Sequence, residues 1–447
     1  MLKILSNRTY RNLFSAQVIA LIGTGLATVA LGLLAHDLAG ADAGAVLGTA
    51  LAIKMGAYIV IAPIVGAFAN SLPRRAFLIA MDLLRTGVAL CLPFVDQVWQ
   101  VFVLIFVLQS ASAAFTPTFQ ATIPDVLPDE RDYTRALSLS RLAYDMENLT
   151  SPLLAGLLLL VMNFHALFSG TAIGFLASAL LVFATTLPSP AISSGRKEKV
   201  LVRLTRGMRQ YLGTPRLRGM LAVTLSAAAA SAMVIVNTVV IVREQLGLGT
   251  QAYAMTLAAY GAGSMAVAFI LPKLLERLSD RSAMMTAAAA LSATLIVLSG
   301  LSFFVPGGMS WPIILVGWLI LGAAYSMAVT PSGRLLRRSS SADGRPAIFA
   351  AQFSLSHICW LLAYPLAGWT GSQFGLSAAF AASAGLAVIG VLFAWWLWPT
   401  SADGEAAHQH PDLPPDHPHL TDHHKEGQSA HAFVIDDLHR RWPSPTR

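Results

Sequence analysis

Ser138-Leu139-Ser140-Arg141 recurs 216 residues later as Ser354-Leu355-Ser356-His357, and Pro152-Leu153-Leu154-Ala155-Gly156, a few residues on, recurs 213 residues later as Pro365-Leu366-Ala367-Gly368. Thr116-Pro117-Thr118 and Thr330-Pro331-Ser332 match 214 residues apart, nearly in the same register. Each match alone is commonplace among Ala, Leu and Ser. Three in order argue for a duplicated unit. All three lie in apolar runs, of which the chain has twelve, at roughly 12–35, 45–69, 76–95, 98–121, 135–161, 168–187, 219–242, 254–275, 283–304, 311–332, 347–369 and 377–398. Each is near the ~20 residues that cross a bilayer as a helix. With 55% hydrophobic and 12% charged residues, no water-soluble core and shell is available. The fold class expected is an all-α membrane protein of twelve spans. The domains expected are a six-helix half over 1–190, a linker over 191–218, a second half over 219–398 and a polar tail over 399–447. Duplicated halves about a pseudo-twofold axis, with a substrate path between them, are the usual build of secondary transporters.

The positive charges orient this bundle. The N-terminus and the even-numbered connections hold Lys3, Arg8, Arg11, Arg74, Arg75, Arg131, Arg135, eight residues between Arg196 and Arg218, Lys273, Arg277, Arg281, Arg334, Arg337, Arg338 and Arg345. That is 22 residues, against Arg243 alone in the odd-numbered connections. By the positive-inside rule both termini are expected in the cytoplasm of a bacterial inner-membrane protein. The first run lacks a small-residue cleavage site and leads into a second span, so no cleavable signal is expected. The net charge of +7 arises mostly from these loops. It reads as contact with anionic lipid head groups rather than nucleic acid. Cys91 and Cys359 lie in apolar runs and suggest neither a disulfide framework nor a thiolate metal site.

The chain resembles the major facilitator superfamily. Between spans two and three that family carries Gly, Asp-Arg, then Gly-Arg-Arg/Lys. Here the loop runs Gly66-Ala67-Phe68-Ala69-Asn70-Ser71-Leu72-Pro73-Arg74-Arg75, with Asn70 in place of the Asp. Asp82-Leu83-Leu84-Arg85 and the opening Arg8-Thr9-Tyr10-Arg11-Asn12-Leu13-Phe14 resemble the drug- and siderophore-exporting branch. Ala52-Ile53-Lys54-Met55 and Arg141-Leu142-Ala143-Tyr144-Asp145-Met146-Glu147-Asn148 are similar to its nickel-resistance exporters, which also tend to end in a His-rich tail. The resemblance implies a gating loop built from Gly66, Asn70, Arg74, Arg75, Asp82 and Arg85, and no cofactor.

A charge at the bilayer centre costs about 2.5–3.5 kcal/mol on insertion scales, so charges within spans have a job. Span two holds Lys54, and span five holds Arg141, Asp145 and Glu147. Arg141 and Asp145 are four apart and share a helix face. Glu147 points elsewhere, either paired with Lys54 or left to titrate. These charges either tie helices together or line a cavity for a cation and a proton. The repeat maps Arg141 onto His357, which favours the cavity. At the end of span one His36 and Asp37 suit either a divalent cation at an exit mouth or an ordinary helix end. Asp82 and Arg85 read as a structural pair. Eight histidines crowd the tail: His408, His410, His417, His419, His423, His424, His431 and His439, with Asp residues between them. Imidazole with carboxylate suits Ni(II), Zn(II), Co(II) or Cu(II), but the spacing is no closed finger site. A more apolar stretch, Phe433 to His439 with Trp442, reads as a segment that docks on the membrane or on the cytoplasmic loops. There is no phosphate-cradling loop, so neither an enzyme nor an ATP-driven pump is expected. The expectation is a monomeric, proton-coupled exporter of divalent metal, nickel first and cobalt next, that carries the metal and protons among membrane lipids. The alternative is a siderophore or drug exporter of the same fold.

Overall fold

Apolar runs in lipid must satisfy their own backbone groups, so they form helices. The computed structural model describes residues 2–68, 73–129, 132–133, 135–136, 139–140, 143, 147, 151, 154–187, 200–305, 309–340 and 345–400, and in the tail 405–408, 424–425, 428–432, 435 and 442. Eleven of the twelve spans appear as helices: Arg8–Ala39, Ala43–Phe68, Arg74–Cys91, Val98–Val126, Phe164–Phe183, Pro215–Val239, Thr250–Leu274, Asp280–Phe304, Trp311–Val329, Arg345–Phe374 and Leu376–Leu397. The described residues of span five up to Leu158, Ala143, Glu147 and Ser151 among them, are helical as well, and Leu159 to Val161 turn out of it. Spans one and two run on through a tight turn at Gly40, whose φ of +52° a side chain would strain.

Local chemistry sets the ends. Asn7, Asn163 and Ser279 accept the backbone N–H of Tyr10, Ala166 and Ser282 at 3.1, 3.0 and 3.1 Å. Such caps satisfy donors that a helix start leaves open. Span six therefore starts at Phe164 rather than 168, because Asn163 caps it there. Span ten stops at Val329, and a separate short helix, Ser332–Arg338, follows Pro331. Span seven ends in a π turn, Val240–Gln245. The tail has no helix among its described residues. It forms three short antiparallel strands, β1 Glu405–His408, β2 His424–Lys425 and β3 Gln428–Ala432, in the order β1-β3-β2.

Ile173, Phe269, Phe304, Trp395 and Trp396 are exposed on the outside of the bundle, as lipid contact requires. One buried cluster runs through both halves, and a second, with Leu13, Leu78, Phe119 and Ile123, fills the arginine-rich end of the first half. The linker helix Val200–Gly213 lies on the second half. A Cβ on its Gly207 would crowd the Ala347 carbonyl, and Tyr211 donates to Gln352. Two residues of the tail dock on this same corner: Ile435 is buried against Gly213, and the ring of Trp442 lies 5.3 Å from the Arg216 guanidinium. Arg216 in turn donates to Ser339 Oγ at 2.7 Å and to the Arg338 carbonyl at 3.1 Å.

Candidate functional site

The two halves meet along spans two and eleven, and small residues let their backbones touch. A Cβ on Gly48 would sit 2.6 Å from the Tyr364 carbonyl oxygen, and one on Gly368 would overlap the Gly44 carbonyl. A Cβ on Gly156 of span five would lie 2.8 Å from the Ala254 carbonyl of span eight. Polar links close the same, arginine-poor end. Tyr253 donates to the Val29 carbonyl at 3.4 Å, Trp369 to Thr49 Oγ1 at 3.1 Å, and Ser372 to Asp42. His36 Nε2 lies 2.7 Å from Glu244 Oε1, and its Nδ1 lies 3.6 Å from Asp37. His36 and Asp37 thus belong to a contact between the halves, joined by a carboxylate from span seven's end. Among the described residues no three His, Cys, Asp or Glu side chains converge as a metal site.

Midway along, span two presents Lys54 and, one turn on, Tyr58; both are half-buried. The Lys54 ammonium is close enough to act on the Glu147 carboxylate of span five, and Glu147 acts on the Tyr364 hydroxyl of span eleven. Of the two arrangements open to Glu147, this places Lys54 within its electrostatic reach. Span eleven carries Phe353, His357, Trp360 and Tyr364 at helical spacing on one face. Tyr58 stacks on His357 at 5.1 Å between ring centroids, and Phe353 lies 4.2 Å from the same imidazole. His357 Nδ1 donates to the Phe353 carbonyl at 2.6 Å. Trp360 contacts Tyr364 at 5.3 Å and Tyr325 of span ten at 6.3 Å; Tyr325 contacts Tyr260 of span eight at 6.0 Å. The rings thus run along one face of span eleven for about three turns, and Tyr58 of the first half closes against Phe353 and His357 at one end of that row. Sequence reasoning found Lys54, Glu147 and His357 but missed the rings. Their spacing in span eleven, i, i+4, i+7 and i+11, was the available signal.

The loop residues divide by half. Arg74 pairs with Asp125 at the end of span four, and Arg75 donates to the Phe183 carbonyl and lies over the Phe183 ring. The second half mirrors the first pair with its signs exchanged: Asp280 at the start of span nine accepts from Arg334 at 2.8 and 2.5 Å. Gly66 lies in the last turns of span two. Asp82 pairs with Arg85 in the interior of the first half and accepts from Ser178 Oγ at 2.7 Å. The Arg85 guanidinium lies between the Phe115 and Phe175 rings, 4.4 and 4.5 Å from their centroids. This is a brace among spans three, four and six. Removing one member leaves a buried charge, so Asp82→Ala is expected to destabilise the protein by about 3–5 kcal/mol. The double change Asp82→Leu with Arg85→Met should recover most of that loss, as read by thermal unfolding of the detergent-purified protein. Asn70, Arg141, Asp145, His410, His417, His419, His423 and His439 lie outside the described residues. His408, His424 and His431 fall on the backbone of the tail strands.

The Major Facilitator Superfamily model matches residues 13–311 and 226–435, so the chain belongs to that family. It is 22% identical over 331 residues to the uncharacterized MFS-type transporter YfiS of Bacillus subtilis (strain 168), covering 72% of this chain and 77% of that one. Over 152 residues it is 24% identical to macrolide efflux protein A of Enterococcus faecalis, covering 32% of this chain and 47% of that one. Among solved structures, a bacterial homolog to the human lysosomal transporter Spinster, inward-facing and unoccupied, superposes with a TM-score of 0.66 at 13% identity, over 88% of this chain and 97% of that one. A D-xylose–proton symporter superposes with a TM-score of 0.62 at 14% identity, over 89% and 97%. The chain is thus a multi-pass membrane transporter with the fold of this superfamily.

Proposed function

We propose that the chain exports small organic molecules against the proton gradient, with its arginine-rich end and both termini in the cytoplasm. What supports this reading is that Glu147, a half-buried carboxylate in span five, is within electrostatic reach of Lys54 on its own half and of Tyr364 on the other. A proton on Glu147 removes the charge that balances Lys54. It thereby alters the contact between halves that alternating access must make and break. Cargo and proton then compete for one carboxylate, which is the thermodynamic requirement of an exchanger. The direction of export is supported by the likeness to macrolide efflux protein A. Expression in a strain stripped of its own exporters, followed by growth on graded macrolide, lipophilic cation, nickel and cobalt, tests the reading. Resistance to an organic compound that Glu147→Gln abolishes supports it. Resistance to none of these compounds contradicts it.

Divalent metal is the second reading, nickel first, and what favours it is the eight tail histidines with their interleaved Asp residues. In that case the tail would gather metal at the cytoplasmic entrance, and transport would occur elsewhere. Ile435 and Trp442 rest on the bundle, so replacing the eight histidines by Gln is a cleaner test than deleting the tail. The substituted protein is expected to lose nickel resistance at limiting metal and keep it at high metal. Ni(II) binding should also weaken as pH falls from about 7.5 to 5.5, because a protonated imidazole is no ligand. Unchanged nickel resistance at limiting metal would remove this reading.

A further inference from the structure

We propose that His36 is a proton site apart from Glu147, and that a proton held there between the two halves seals the arginine-poor end. The inference rests on the export orientation only for naming that end extracytoplasmic. Span one ends just beyond His36, whose carbonyl accepts the N–H of Gly40 in the tight turn to span two. Span seven ends in the π turn Val240–Gln245, where the Leu246 N–H donates to the Ile241 carbonyl at 3.0 Å. A π turn takes in an extra residue and re-aims the side chains around it. Here the Glu244 carboxylate comes over the tight turn, 3.9 Å from where a Cβ on Gly40 would stand. Its Oε1 lies 2.7 Å from His36 Nε2, while Asp37 Oδ1 lies 3.6 Å from Nδ1. The imidazole is 13% exposed and Glu244 39%, so the pair is partly desolvated and still within reach of protons.

A neutral imidazole has one N–H and one lone pair, whereas an ionised carboxylate only accepts. A carboxylate beside each ring nitrogen is therefore the surrounding of an imidazolium. The rest of this end has the same sign. Besides His36, its connections carry Asp37, Asp42, Asp96, His165, Arg243 and Glu244. Asp42 accepts from Ser372, and Arg243 donates to Thr250 Oγ1 at 3.4 Å. Deeper in, the Tyr253 phenol of span eight donates to the Val29 carbonyl. Among the described residues only Asp37 and Glu244 form ion pairs with His36. Spans one and seven also both end here, and the C-terminal end of a helix favours a cation. Asp37 and the end of span one move with His36, so they favour its proton in every state of the transporter. Glu244 belongs to the other half and leaves when the halves part at this end. The imidazolium thus gains more from closure than the neutral ring does, so proton uptake and closure favour each other. Acid on this side pulls the exporter shut after its cargo leaves, a step separate from any proton exchange at Glu147.

The test reads the distance between spin labels at Gln97 and Gln251, exposed at this end on opposite halves, in the full-length protein in proteoliposomes. It is made on Glu147→Gln protein, so that this carboxylate contributes nothing. Lowering the pH from about 8 to about 5.5, across the range where imidazole titrates, is expected to raise the ratio of short to long distances by about threefold. Adding His36→Gln or Glu244→Gln should remove that response. Adding Asp37→Asn should keep most of it, because Asp37 does not change partners when the halves part. With Glu147 restored, His36→Gln should lower the response by the same factor. A ratio that ignores pH, or a response that survives His36→Gln, overturns the proposal. With pH set separately on the two sides of the membrane, the response should follow the side opposite the tail. A response that follows the tail's side would overturn the orientation and leave the His36 site standing.

Discussion

Gly368→Val is expected to hold the arginine-poor end open and to stop transport while the protein still reaches the membrane in normal amount. A Cβ at Gly368 would already overlap the Gly44 carbonyl, and the neighbouring atoms are backbone, not the end of a flexible side chain. Overpacking of this kind costs about 3 kcal/mol, and each 1.4 kcal/mol moves an equilibrium about tenfold. The cost falls only on the state in which spans two and eleven touch. The cores of the separate halves are untouched, so abundance should hold. Labels at Gln97 and Gln251, exposed at that end on opposite halves, report the opening as a longer distance by pulsed spin resonance. Transport should fall about 100-fold, the factor that this cost implies. Gly385→Val serves as the control, since nothing lies within 4 Å of a Cβ there. An unchanged distance in Gly368→Val would mean that this contact does not close the end.

Glu147→Gln should separate exchange from driven transport. The amide keeps the size and the hydrogen-bonding reach of the acid but takes up no proton. Cargo-for-cargo exchange requires only that the halves rock, so it should persist. Accumulation against a gradient requires the proton and should fall at least tenfold, to the level set by the cargo gradient alone. Loss of both activities together, with normal folding, would point to a structural role for Glu147. Persistence of both would move the coupling group elsewhere, with Asp37 the next candidate.

Much of this frame was legible in the residues themselves. The spans show as apolar runs because lipid admits little else. Lys54 and Glu147 stand out because charge is costly there, and Asp82 with Arg85 because three residues apart is one helix face. The sequence left two options for Glu147, paired with Lys54 or free to titrate, and the structure shows only that Lys54 is within electrostatic reach of it. What was hidden depends on distance along the chain. Asp125 is 51 residues from Arg74, and Glu244 reaches His36 from the other half, so no local pattern joins either pair. Tyr58 and Trp360 look like any other apolar residue in a span until the helices are side by side. Gly48 and Gly368 become informative only through the carbonyls they approach. Ile435 and Trp442 stand out as apolar in a polar tail, but nothing local names the linker-helix corner as their seat.

The most direct measurement is proton movement in proteoliposomes that carry a pH-sensitive dye inside, with tetraphenylphosphonium, a macrolide or Ni(II) added in turn. The wild-type protein is expected to move protons when one of these cargoes is present and not without it, and Glu147→Gln is expected to move none. Cargo transport with no accompanying proton flux, or a flux that Glu147→Gln leaves intact, would contradict coupling through this carboxylate.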